Sequence, residues 1–208
     1  MRTLFRPAVW RILALFYANR NAPLHLRGIA REAGLNESSA SRHLNQLTKA
    51  GILGEQKEAN LRKFSVRTKA LQSIFPLFDD EKLDSLPLLR RDAIAHYLAR
   101  LPRTPLLVVV FGSTAKKNFT EGSDLDILEV FPEKTDTGAA RAFSEAQTGI
   151  RVQAFQLTEH DFERELKERK DMVVLSALTT GFPVFNQRYF YEVLLGERVP
   201  SQAALTFG

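Results

Sequence analysis

Phe111–Asp126, FGSTAKKNFTEGSDLD, follows directly on the apolar run LLVVVF of Leu106–Phe111. The run is short, continuously apolar and rich in valine, which predicts a buried strand. It ends in Gly112-Ser113. A glycine and a small hydroxyl residue between a strand and a helix let the backbone approach closely and aim free N–H groups at an anion. Alone, that turn is a weak signal, because many strand-to-helix turns share it. The return sharpens it. SDLDILEVF predicts a second strand that starts at Ser123, and Asp124 and Asp126, two apart, fall on one face of it. Two like charges at the mouth of an apolar sheet are costly without a cation. Magnesium is the expected cation, held by carboxylates and shared with substrate phosphates. A phosphate cradle followed by paired aspartates predicts a site for a nucleotide and a metal.

The residues Gly112-Ser113, nine intervening positions, then Ser123-Asp124-Leu125-Asp126 resemble the signature of the DNA polymerase beta-like nucleotidyltransferase superfamily. The match is nearest to the minimal nucleotidyltransferases of prokaryotes, and Ala115 fits the pattern Gly-Ser-x-Ala-x-Gly. The resemblance covers about residues 88–187. It implies a small mixed sheet flanked by helices. It also implies nucleotide binding at Gly112, Ser113, Lys116 and Ser123, with divalent metal, magnesium or manganese, on Asp124 and Asp126 as the catalytic pair. ATP or another nucleoside triphosphate would be substrate or ligand. Two departures stand out. The first is the loop, where Lys117 replaces the family's second glycine beside Lys116, which stands where the family often has arginine. The second is larger: active members carry a third carboxylate on a later strand. That strand is expected at IRVQAFQL, Ile150–Leu157, with the position near Val152-Gln153, and the stretch contains no acid. Gln153 accepts a hydrogen bond but is a poor metal ligand and no base. Glu129 is no substitute, since strand alternation sends it to the opposite face.

The front of the chain points elsewhere. Residues 1–70 hold 13 Lys and Arg against 4 Asp and Glu, a balance of +9, and the remainder balances at −4. A basic front and a mildly acidic rear imply two domains with different partners, and a polyanion suits the first. Pro7–Tyr17 predicts a helix with Val9, Ile12, Leu13 and Phe16 on one side. A second helix carries Leu26, Ile29, Ala30 and Ala33 and ends at Gly34. Asn36 is the expected N-cap of a third, in which Ala40, Leu44 and Leu47 form the buried stripe. Ser38, Ser41, Arg42, Asn45, Gln46 and Lys49 occupy the opposite arc, which has two cations and no acid. GEQKEANLRKFSV then predicts a polar hairpin carrying Lys57, Arg62 and Lys63. The segment over about residues 7–67 resembles a winged helix-turn-helix domain. That resemblance implies double-stranded DNA as partner, with the third helix in the major groove and the hairpin on the backbone.

The organisation expected is therefore α+β. An N-terminal winged helix-turn-helix (1–70) leads through a linker (71–87) to a C-terminal nucleotidyltransferase-like domain with a small mixed sheet flanked by helices (88–187) and a tail (188–208). Pro76 and Pro87 are expected to interrupt helices, and Asp79, Asp80, Glu81 and Asp84 to form a solvated acidic face. The tail packs on the domain or mediates self-association as a homodimer. With no cysteine, disulfides and thiolate zinc sites are excluded. The absence of a long apolar run predicts no membrane span, and a cytoplasmic location fits. Two functions stay open. One is transfer of a nucleoside monophosphate to a hydroxyl acceptor, such as one on a protein. The other is a non-catalytic transcription regulator, or an antitoxin-like protein paired with a toxin, whose rear domain is degenerate.

Overall fold

The computed structural model describes residues 7–20, 22–58 and 61–194, the side chains of 68–71 excepted. The chain forms two compact units, Met1–Glu81 and Lys82–Gly208.

The first unit is a helical layer on a small sheet. Helices α1 (Pro7–Ala18), α2 (Leu26–Glu32) and α3 (Glu37–Lys49) accompany strands β1 (Leu24–His25), β2 (Leu53–Glu58) and β3 (Leu61–Val66). The strands pair antiparallel in the order β1-β3-β2. Ile12, Leu13 and Phe16 of α1 are buried with Ile29, Ala30, Ala40, Leu44, Leu47 and Phe64, as the helical spacing predicts. Gly34 sits at φ +63 just past α2, a backbone that favours glycine. Asn36 caps α3 by accepting the Ser39 amide at 2.8 Å.

Helix α4 (Thr68–Asp84) departs from expectation. Pro76 lies inside it, where a break was predicted. Proline removes one amide donor and crowds the preceding turn, but tertiary packing can hold the helix through it. Here Phe75 and Phe78 supply that packing. Phe78 stacks on Trp10 with centroids 3.9 Å apart, and Phe75 meets Tyr17 edge-on at 5.4 Å. Asp79, expected in solvent, is 1% exposed and accepts the Tyr17 hydroxyl at 2.7 Å. Burial and the Asp79 charge push the Tyr17 hydroxyl well above its ordinary range.

The second unit is built on a four-stranded sheet in the order β6-β5-β4-β7. Its strands are β4 (Leu107–Val110), β5 (Leu125–Phe131), β6 (Val152–Thr158) and β7 (Phe182–Phe185), with helices α5 (Leu88–Ala99), α6 (Gly112–Lys116), α7 (Gly138–Thr148), α8 (Glu159–Glu168), α9 (Met172–Thr180) and α10 (Gln187–Leu194). β5 runs parallel to β6 while β4 is antiparallel to both its neighbours, so the sheet is mixed as expected. β7 is an edge strand whose irregular register surrounds Pro183, the place a proline tolerates in a sheet. Phe190 and Tyr191 of α10 are buried, so the start of the tail packs on the domain; residues 195–208 lie outside the description.

Glu129 is 0% exposed in the middle of β5. It points away from the face of Asp124 and Asp126, as alternation predicts. Tyr97 Oη donates to its Oε2, and Thr137 Oγ1 and Gln156 Nε2 donate to its Oε1 at 3.0 and 2.7 Å. Gln156 Oε1 in turn accepts the Thr135 amide at 2.8 Å. A buried carboxylate with this many donors is satisfied; with one removed it is not. Tyr97→Phe is therefore expected to cost about 1–3 kcal/mol of stability, read as a lower urea midpoint at unchanged slope. An unaltered midpoint would show that the Tyr97 hydroxyl contributes nothing to holding Glu129.

Candidate functional sites

In the second unit the strand-turn-helix around Gly112 brings the signature residues together. Gly112 has φ +64. A Cβ built on it would lie 2.0 Å from Asp126 Oδ2, so any side chain here collides with the carboxylate. Glycine is required both for the backbone conformation and for the approach of Asp126. Phe111 N donates to Asp126 O at 3.0 Å, carrying the β4–β5 pairing up to the turn. At the other end of α6, Lys117 takes φ +57. That left-handed backbone is the reason glycine suits this position in the family, and lysine adopts it at modest cost.

Ser123 does not begin the strand, which starts at Leu125. Its hydroxyl accepts the Thr120 amide at 2.9 Å, so it shapes the turn between the two halves of the signature. The turn is fastened from behind by Arg90, which is 3% exposed. Arg90 Nη1 donates to Thr114 Oγ1 at 2.8 Å, and Nη2 to the carbonyls of Ser123 and Thr120 at 2.7 and 3.2 Å. The guanidinium also lies over the Phe119 ring, 4.1 Å from its centroid. Burial lowers the Arg90 pKa, against the pull of Asp126 and Asp124. Sequence reading missed Arg90. The signal was present, since Arg90, Ala93, Ile94 and Tyr97 stand at i, i+3, i+4 and i+7, the inward stripe of α5.

Electrostatics separates the two aspartates. Burial, then the neighbouring Asp124 charge, raise the Asp126 carboxyl above the usual aspartate range, with Arg90 opposing. Asp124 instead has a partner of its own. Arg151 Nε donates to Asp124 Oδ1 at 3.0 Å, and Nη2 lies 3.0 Å from Oδ2. The register of the parallel strands places Gln153 directly beside Asp126, on the same face. This is where the resemblance expects a third carboxylate. Among the described residues no three His, Cys, Asp or Glu side chains gather as a metal group. Asp124 and Asp126 are the carboxylates that could hold one divalent ion, and with Gln153 neutral they supply too little charge for a pair of ions. Lys116 is exposed on the last turn of α6 and Ser113 is half-buried on its first. Neither makes a hydrogen bond or ion pair with the aspartates.

In the first unit Ser38, Ser41, Arg42, Asn45, Gln46 and Lys49 line one shallow surface concavity of about 520 Å³, the arc drawn from helical spacing. Ser38 Oγ donates to the capping Asn36 Oδ1 at 2.9 Å. Lys57 and Arg62 are cross-strand partners in the hairpin, and Lys63 pairs with Glu58. Arg62 is not free to act on a phosphate alone. It forks onto Glu55 at 2.6 and 2.9 Å and reaches Ser41 Oγ at 2.8 Å and Asn45 Oδ1 at 2.5 Å. The hairpin is thereby clasped to α3. Because a guanidinium only donates, it fixes the Asn45 amide with its oxygen inward and its NH₂ outward.

Comparison with known proteins agrees with both halves. Residues 10–57 match the IclR helix-turn-helix domain and residues 92–185 match the nucleotidyltransferase domain. No curated protein matches the chain. A solved structure of a candidate transcriptional regulator from Rhodococcus sp. RHA1 is 22% identical, with TM-score 0.28, over 61% of this chain and 44% of that one. No helix among the described residues is long and apolar enough to cross a membrane. The chain joins a DNA-binding helix-turn-helix of the IclR type to a nucleotidyltransferase-type domain.

Proposed function

We propose that the protein is a DNA-binding regulator whose second domain binds a nucleoside triphosphate with one divalent cation and transfers nucleotide very slowly or not at all. The observation that carries this reading is Gln153 beside Asp126 in the β5–β6 register. A neutral amide adds no negative charge for a second ion and cannot take a proton from an attacking hydroxyl. The cradle itself is intact, with Gly112 against Asp126 and Arg90 holding the turn. Gly112, Ser113 and Lys116 would meet the phosphates, and Asp124 and Asp126 would hold magnesium or manganese. The cation would neutralise phosphate charge there. A phosphate cradle with no base beside it favours a sensor over a transferase. Duplex DNA is the partner of the first domain, with Arg42, Asn45, Gln46 and Lys49 toward base edges and phosphates, and Lys57 and Lys63 on the backbone. A protein partner for the second domain, a toxin among them, belongs to the same reading.

Retention on duplex DNA is expected to fall steeply with salt, and Lys49→Ala to lower the slope of log K against log salt by about one. A gel-shift series at several salt concentrations checks this, and binding indifferent to salt would count against a DNA interface. For the second domain, Asp126→Asn should abolish metal-dependent ATP binding in calorimetry. The same change should raise the thermal midpoint of the metal-free protein at neutral pH. The sign follows from the raised Asp126 carboxyl: the native state binds more protons than the unfolded one, so ionisation above the ordinary aspartate range costs stability. Gln153→Asp should increase label transfer from radiolabelled triphosphate, by up to the roughly 10²–10⁴ that a positioned base contributes. Robust transfer by the unmodified protein, unchanged by Gln153→Asp, would restore the transferase reading.

A further inference from the structure

Arg151 has no place in the nucleotidyltransferase signature, yet it makes the most direct contact with the candidate site. Backbone pairing puts it there. Leu125 N donates to Arg151 O at 2.9 Å, and Leu125 stands opposite Val152. Arg151 and Asp124 are thus neighbours one step outside the paired strands. The guanidinium occupies both carboxylate oxygens of Asp124, at 3.0 Å each. Its side chain is 68% exposed and that of Asp124 26%. The pair lies at the rim of the site, on a long flexible stem, where an ion pair is held weakly enough to exchange partners. The fork that fits a carboxylate fits two phosphate oxygens equally well.

This occupancy has a consequence for the cation. Asp126 offers one carboxylate, already crowded by burial and by its like-charged neighbour. Gln153 offers no charge. The second carboxylate, Asp124, is spoken for by a cation that belongs to the chain. An ion arriving alone competes with Arg151 for Asp124 and must send the guanidinium into water to win it. A polyphosphate changes that balance, because it supplies a new anionic acceptor for the guanidinium beside the one it leaves.

We propose that Arg151 is a phosphate-binding residue parked on Asp124, which passes to the polyphosphate of a nucleoside triphosphate and so frees Asp124 for the divalent cation. This rests on the nucleotide-binding reading above and adds the order in which its parts assemble: cation and nucleotide bind together, each strengthening the other by the same factor.

The experiment compares the full-length protein with Arg151→Gln and Arg151→Lys, using Mn²⁺ as the metal probe. Free Mn²⁺ is followed by electron paramagnetic resonance without nucleotide, and ATP binding by calorimetry with Mn²⁺ present. Arg151→Gln should bind Mn²⁺ alone about five- to tenfold tighter, and ATP in its presence weaker by a similar factor, the lower range of coupling between sites. Arg151→Lys keeps the charge without the fork and should fall between. Opposite signs are the diagnostic, since a merely structural arginine would weaken both. Equal Mn²⁺ affinity in wild type and Arg151→Gln, or a parallel loss of both affinities, overturns the proposal while leaving nucleotide binding standing. If neither wild type nor variant takes up Mn²⁺ or ATP, the nucleotide reading itself fails and this proposal with it.

Discussion

Pairing of β5 with β6 in parallel decides which side chains share the mouth of the second domain. Because side chains alternate, a register that sets Leu125 against Val152 also sets Asp126 against Gln153 and brings Arg151 alongside Asp124. A slip of one residue would turn Gln153 away and replace it with Val152 or Ala154. That register is secured from the opposite face. There Leu125, Ile127 and Val152 join Tyr97, Ile94 and Ala93 of α5 in a common core. The buried Glu129 bonds Gln156 of β6 across the strands. A carboxylate sealed in the core thus stabilises the alignment on which the half-buried carboxylates of the other face depend.

Arg90 performs the matching task for the loop. The stretch between α6 and β5 has little regular structure of its own; the Thr120 carbonyl accepts the Ser123 amide at 3.1 Å, and the Ser123 carbonyl depends on Arg90. A single guanidinium donates to both carbonyls and reaches Thr114 as well. Its charge costs burial energy, which the nearby aspartates partly offset. Signature and support are therefore one electrostatic unit, anchored on α5, a helix that contributes nothing to the signature itself.

Much of this was legible beforehand, because it follows from short-range periodicity. Ala40, Leu44 and Leu47 marked the buried stripe of α3, and the valine-rich run marked β4. The spacing of Asp124 and Asp126 placed both on one face, and Glu129 on the other. What escaped were interactions between residues far apart in sequence. Nothing local to Asp79 says that Tyr17, 62 positions away, donates to it; taken alone it reads as one more acid in a solvated run. Pro76 misled for the same reason, since local rules break the helix and aromatic packing sustains it. Arg151 drew no attention within its strand, and Arg62 read only as a cation of the hairpin that would meet the DNA backbone. Their partners become visible only once strand register and the hairpin fold are in place.

The clasp of Arg62 on Glu55, Ser41 and Asn45 bears on how the first domain meets another surface. Long polar side chains normally lose rotamer freedom on association, and that loss subtracts from affinity. Here the loss has already occurred within the isolated domain, during folding. Hairpin and helix α3 present themselves as a single stiff edge, with the Asn45 amide facing outward as a donor. A duplex approaching such an edge must do the conforming. On the proposed DNA-binding reading, discrimination would then shift toward the deformability of the duplex, favouring sequences that bend or twist easily even at base pairs no side chain touches.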